Sequence, residues 1–248
     1  MLPKGLLCDM DDTILNSSGA REPCWREAFV AEAARCGGLE WTAFIEAVTR
    51  TERWFWTDPE RHRRGRMDLL TACRETTSGA LAGLGFDLPD LAAALADRYR
   101  DLREARFCVF PGALETLAYL RARGVRLAMM TNGTAADQRR KIDRFGLDRY
   151  FDRILIEGEL GVGKPHPDVY TNALAALGCA PAEAWSIGDN LEWDVVGPQR
   201  LGVYGIWIDG RGSGLPADSP ARPDRIVRSI SELRRPTPSS GGVHDEDG

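Results

Sequence analysis

Three carboxylates, Asp9, Asp11 and Asp12, stand at the end of the chain's first apolar run, residues 5–10. A second polar group, Thr131-Asn132-Gly133, closes the apolar run 125–130. Lys164 comes after the run 153–156, and Gly188-Asp189-Asn190, with Asp194 beyond it, follows 184–187. Taken singly, an Asp after a strand is a turn or cap residue and a lone Lys is a solvated one. Four such positions after four apolar runs ask for a common explanation. Open parallel sheets bind ligands beyond the carboxyl ends of their strands, and all of these residues fall there.

Charge suggests what the ligand is. Asp9, Asp11, Asp189 and Asp194 together face one positive charge, Lys164. Carboxylates that close raise one another's proton affinity unless a cation offsets them. A hard cation with oxygen ligands fits, and Mg²⁺ binds through one or two carboxylates plus a substrate phosphate. His62, His166 and His244 are isolated and read as surface or capping residues. Phosphoryl transfer suits these parts, because a carboxylate is a competent nucleophile toward phosphorus. Two residues along an extended chain the side chain returns to the same side. Asp11 is therefore placed to protonate the alcohol that leaves Asp9's phosphate, and then to activate the hydrolytic water. Thr131, the Asn132 backbone and Lys164 can hold the phosphoryl oxygens.

The elements that position these residues alternate. Strands are expected at 5–10, 125–130, 153–156, 184–187 and 203–208, with a short edge strand at 226–227. Helices are expected at 111–123, 135–145 and 167–177, stopped by Gly124, Gly146 and Gly178. Strands alternating with helices imply a mostly parallel sheet covered on both faces. Residues 17–106 break the rhythm: they hold no convincing strand, only helical stretches at about 23–35, 42–55, 67–82 and 89–104. Such a segment straight after the first strand reads as a separate helical cap.

Asp9-Met10-Asp11-Asp12-Thr13, Thr131-Asn132-Gly133, Lys164-Pro165 and Gly188-Asp189-Asn190 with Asp194 resemble the four motifs of the haloacid dehalogenase superfamily, helical-cap branch. They stand in the family's order, with the insertion at its cap position. The resemblance implies an α/β fold, a Rossmann-like three-layer core with a mostly parallel sheet plus an inserted α-helical cap. Residues 1–16 and 107–235 form the core, 17–106 the cap, and 236–248, rich in Gly, Ser and Pro, a disordered tail. It implies that Asp9 is nucleophile and metal ligand, and that Asp11 is acid/base and ligates through its backbone carbonyl. Asp189 anchors Mg²⁺, and Asp194 supports the metal waters or Lys164. Thr131, Asn132, Gly133 and Lys164 bind phosphate, and Thr13 orients the first loop. The implied activity is Mg²⁺-dependent hydrolysis of a small phosphorylated metabolite through an aspartyl phosphate. A phosphomutase on the same core is the alternative, and a non-catalytic phosphate-binding or receiver-like signalling protein a remote one. The family's dehalogenases lack the second motif carboxylate, so Asp11 argues against halide chemistry.

Composition narrows the partners. Net charge is -5, with 43% hydrophobic and 28% charged residues, an ordinary globular mixture that does not favour nucleic acid or an anionic membrane. No apolar run approaches a membrane span, and the first ten residues lack a signal cleavage site. Six scattered cysteines without a C-x-x-C pair fit reduced thiols and a cytoplasmic location. Oligomeric state is left open. In the cap, residues 50–66 are basic and aromatic. The expectation is a solvated arginine face over packed aromatics; the alternative is that some of these residues face the cleft, pairing with a second anionic group or stacking on a sugar or base. At most one of Trp54 and Trp56 is expected to line the pocket.

Overall fold

Leu6, Leu7 and Cys8 are all fully buried. Leu6 and Cys8 join one apolar cluster and Leu7 another. A strand whose alternate side chains both enter cores is the centre of a two-faced sheet. That strand is β1 (Gly5–Cys8) in the computed structural model, which describes residues 1–234. A short pair follows, β2 (Leu15–Asn16) antiparallel to β3 (Cys108–Val109). The main sheet continues with β4 (Arg126–Thr131), β5 (Arg153–Ile156), β6 (Ala184–Gly188), β7 (Tyr204–Ile208) and β8 (Arg225–Val227). Its order is β5-β4-β1-β6-β7-β8 and every pairing is parallel, as the alternating sequence pattern predicts. β1 lies between β4 and β6, so the polar residues after these three strands meet at one edge.

Between β2 and β3 the chain is helical: α1 (Arg21–Ala31), α2 (Trp41–Thr57), α3 (Pro59–Met67), α4 (Leu69–Gly83) and α5 (Pro89–Ala105). The rest is α6 (Ala113–Arg121), α7 (Ala135–Phe145), α8 (Glu157–Leu160), α9 (Pro167–Leu177) and α10 (Gly197–Gln199). A π-type turn, Leu191–Val196, precedes α10.

The helical segment has its own core, with Trp25 stacked on Tyr99 at 3.8 Å and edge-on to Phe44. The two chain crossings that lead into and out of it pair with each other as β2 and β3.

Three expectations need correction. The helix expected over 67–82 starts later, because Asp68 leaves helical geometry and its side chain caps Thr71 N–H. Residues 59–66, outside the expected helices, belong to α3, with Pro59 in its first turn and Asp58 capping Arg61 N–H at 2.8 Å. The helix expected from Pro111 begins at Ala113, because Gly112 takes φ 77°. The tail 236–248 and His244 lie outside the described residues. All six cysteines are unpaired, and no helix among the described residues is long and apolar enough to cross a membrane.

Candidate active site

Asp9 is the first residue past β1, and its N–H donates to Ile187 O across the sheet at 3.0 Å. Its carboxylate is buried. Oδ1 accepts from Lys164 Nζ at 2.7 Å, while Oδ2 has no hydrogen-bond partner among the described residues. The same ammonium donates to Asp194 Oδ1 at 2.7 Å, so a fully buried Lys bridges two buried carboxylates. Asp194 Oδ2 accepts Asn190 N–H at 3.0 Å. Gly188 makes this possible, since a Cβ there would collide with the Asp194 carboxylate.

Burial pushes the Asp9 carboxyl up to about 7; Lys164 opposes that shift and Asp194 reinforces it. Burial works against the Lys164 charge, but Asp194 and Asp9 outweigh it and hold the ammonium well above its usual range. Asp189, one residue past β6, sits at the rim. Crowding by protein atoms, then the Asp9 and Asp194 charges, push it up to about 8.

This donor set fits a hard cation. Asp9, Asp189 and Asp194 each bring a carboxylate oxygen within 4.8 Å of the others. All the donors are oxygens, and Asp9 keeps one buried oxygen without a hydrogen-bond partner among the described residues. Both Asp194 oxygens are committed to Lys164 and Asn190. Asp9 and Asp189 are therefore the side chains free to ligate, and Asp194 fixes Lys164.

The remaining motif residues form a second layer. Asn132 exchanges hydrogen bonds with the Lys164 backbone, Nδ2 to O and Oδ1 from N, both at 2.8 Å. This side-chain clamp ties the loop after β4 to the loop carrying Lys164. The amide nitrogen of Gln138 lies 2.6 Å from Thr131 Oγ1, 2.6 Å from Asn132 O and 3.2 Å from Asp11 Oδ2. Thr131 accepts there and so keeps its hydroxyl proton to donate elsewhere. Lys141 Nζ donates to both Asp11 oxygens, at 2.9 and 2.7 Å. Gly133, expected to bind phosphate, is turned to φ 124° and its N–H is already donated to Glu157 Oε2 at 3.1 Å. Asp12, at φ 57°, caps Ser17 and Ser18 N–H, and Thr13 is buried with no partner for its hydroxyl.

Gln138 and Lys141 were missed in the sequence. Their signal is spacing: three apart on the helix that follows Thr131-Asn132-Gly133, they share a face.

A cleft of about 200 Å³ is lined by Asp9, Thr131, Lys164 and Asp189, with His62 and Arg66 from α3 closing it. His62 stacks on Trp193 at 5.0 Å, and Arg66 forms a forked pair with Glu157 at 2.7 and 2.8 Å. These two follow the cleft-facing alternative and depart from the solvated face: His62 is half-buried against the cleft, and Arg66 turns to Glu157 of the core. Arg50, Arg53, Arg63 and Arg64 are exposed as expected. Trp54 is exposed beneath Arg61, Phe55 is fully buried, and Trp56 meets His62 edge-on. His166 caps α9.

Residues 3–202 match the family described as hydrolase, haloacid dehalogenase-like. A phosphoserine phosphatase from Thermus thermophilus is 35% identical, covering 93% of this chain and 97% of the relative. A glyceraldehyde 3-phosphate phosphatase from Methanopyrus kandleri is 32% identical, covering 83% of each. Among solved structures, a magnesium-bound HAD-hydrolase from Bacillus subtilis superposes with TM-score 0.71 at 22% identity, over 94% of this chain and 97% of that one. The chain belongs to the haloacid dehalogenase-like hydrolases. With these relatives it is a phosphoric monoester hydrolase.

Proposed function

We propose that this hydrolase cleaves small phosphomonoesters with Mg²⁺, passing the phosphoryl group through Asp9. The Asp9 carboxylate carries the proposal: one oxygen is fixed by Lys164 at 2.7 Å, the other is buried without a partner, and the residue lines a 200 Å³ cleft. Asp9 Oδ2 forms the bond to phosphorus as the ester P–O bond breaks, and the departing alkoxide takes a proton from Asp11. Water then attacks phosphorus and gives its proton to Asp11, and the bond to Asp9 breaks, releasing inorganic phosphate. Thr131 and Lys164 hold the phosphoryl oxygens, while Lys141 and Gln138 orient Asp11. Mg²⁺ held by Asp9, Asp189 and the Asp11 backbone carbonyl would, when bound, offset the phosphate charge. The relatives' names, phosphoserine and glyceraldehyde 3-phosphate phosphatase, point to short esters, a size the cleft accepts.

The test is phosphate release from p-nitrophenyl phosphate. Turnover is expected with Mg²⁺, lost with EDTA, and reduced at least a thousandfold in Asp9→Asn. Full turnover by Asp9→Asn protein sinks the assignment.

A further inference from the structure

A larger chamber of about 400 Å³ adjoins the cleft, and the two share Asp11, Asp12, His62, Arg66 and Asn132 in their walls. An ester reacting at Asp9 can extend its remaining atoms along this shared wall. The chamber's lining also includes α5, which contributes Arg100 and Arg103, three apart and on one helix face.

Most charges in the chamber are already matched. Lys141 pairs with Asp11 at 2.7 Å and Arg66 with Glu157 at 2.7 Å. Arg140 takes both Glu104, at 2.8 Å, and Asp137. Asp12 is occupied by the N–H groups of Ser17 and Ser18. The two guanidinium groups of α5 differ. Among the described residues Arg103 meets only neutral acceptors, the Ser17 carbonyl and the Tyr99 hydroxyl at 3.3 Å, and its buried Nε has no partner. Arg100, half-buried between this chamber and a neighbouring groove, makes no ion pair or hydrogen bond among the described residues. On its groove side Arg100 lies near enough to Asp68 to favour that carboxylate's charge, but neither guanidinium fork is engaged by a carboxylate among the described residues. Partly desolvated forks left so are unfavourable, and their planar donors match carboxylate and phosphate oxygens in pairs.

We propose that Arg100 and Arg103 form a subsite for a second anionic group of the substrate, so that esters carrying a carboxylate or a second phosphoryl group are preferred over neutral esters of the same skeleton. The subsite rests on the proposed phosphate transfer at Asp9, which sets where the first phosphate lies.

Two substrate pairs separate the sources of that anion. O-Phosphoserine and phosphoethanolamine differ only in a carboxylate; fructose 1,6-bisphosphate and fructose 6-phosphate differ only in a second phosphate. Each is assayed for kcat/KM with Mg²⁺, and each is titrated by calorimetry into Asp9→Asn protein, which reads binding without turnover. The expected result is a preference on the order of tenfold or more for the anionic member of one pair, expressed in KM and in Kd. In the Arg100→Gln/Arg103→Gln protein the ratio should fall toward one, with Arg→Lys changes retaining part of it. The pair that responds names the anion. No preference in either pair, or one that survives the double substitution, overturns the subsite. A binding preference that disappears with the arginines, on a protein that turns over no ester, supports the subsite and overturns the proposed hydrolysis instead. Should the double variant fail to fold, Arg100→Gln alone reads the same ratio, since that side chain has no partner to lose.

Discussion

At the scale of residues, the electrostatics of the site turn on Lys164. Its ammonium is fully buried and bridges Asp9 and Asp194 at 2.7 Å each. Removing one partner of a buried ion pair leaves uncompensated charge, so Lys164→Met should cost about 3–5 kcal/mol in urea unfolding followed by circular dichroism. A loss under about 1 kcal/mol would show that the carboxylates find another cation or a proton at little cost. Lys141 acts on a different carboxylate. It touches both Asp11 oxygens, so Lys141→Met should lower kcat about 10–100-fold with KM nearly unchanged, the pattern for a group that orients an acid/base residue. A change in KM alone would argue that Lys141 touches substrate instead. Asp9, Asp11, Thr131, Lys164, Asp189 and Asp194 were legible because each ends or follows an apolar strand. Gln138 and Lys141 were not, since a polar pair on an amphipathic helix looks the same whether it faces solvent or a carboxylate.

At the scale of elements, α3 brings His62 and Arg66 to the cleft, and it was invisible to periodicity. The segment PERHRRGRM has almost no apolar face, so its helix is fixed by Asp58 and Pro59 at one end and by the break at Asp68 at the other. Strands such as Arg153–Ile156 and helices such as Ala135–Phe145 were readable to the residue, because apolar runs and terminal glycines mark them. The two-residue strands β2 and β3 carry too little pattern to read. Asp68 is the joint between α3 and α4. Its carboxyl is held below the usual carboxylate range by the Thr71 N–H and then the Thr71 side chain. A depressed folded-state value means that its stabilising effect is present above the unfolded pKa, about 4, and is lost as pH falls through the lower folded value. Asp68→Ala should therefore cost about 0.5–2 kcal/mol at pH 7, with the difference from the parent shrinking toward pH 3. Thermal melts of both proteins at pH 7, 5 and 3 give the comparison, and a pH-independent difference would show that the cap bond is not the cause.

At the scale of the whole molecule, apolar packing and polar contact are divided. One buried apolar cluster draws only on residues between Cys24 and Tyr99, and the two that flank the sheet draw on none of these. What joins the helical insertion to the sheet layer is mostly polar: the forked Arg66–Glu157 pair, Arg140 on Glu104 and Arg144 on the Glu104 carbonyl, beside the stack of His62 on Trp193. Interfaces of this kind open and close more readily than apolar ones. The β2–β3 pairing at the two crossings is where such a motion would pivot. Glu157 is the contact to break, since it holds Arg66 of α3 and the Gly133 N–H at once. In Glu157→Gln, amide exchange over residues 59–67 should quicken by at least tenfold while β1 and β4 keep their protection, because their cores lack any contribution from the insertion. KM should rise with it, as His62 and Arg66 spend less time closing the cleft. Equal acceleration of exchange in α3 and in the central strands would instead mean that the insertion and the sheet unfold as one unit, and that the polar seam is no hinge.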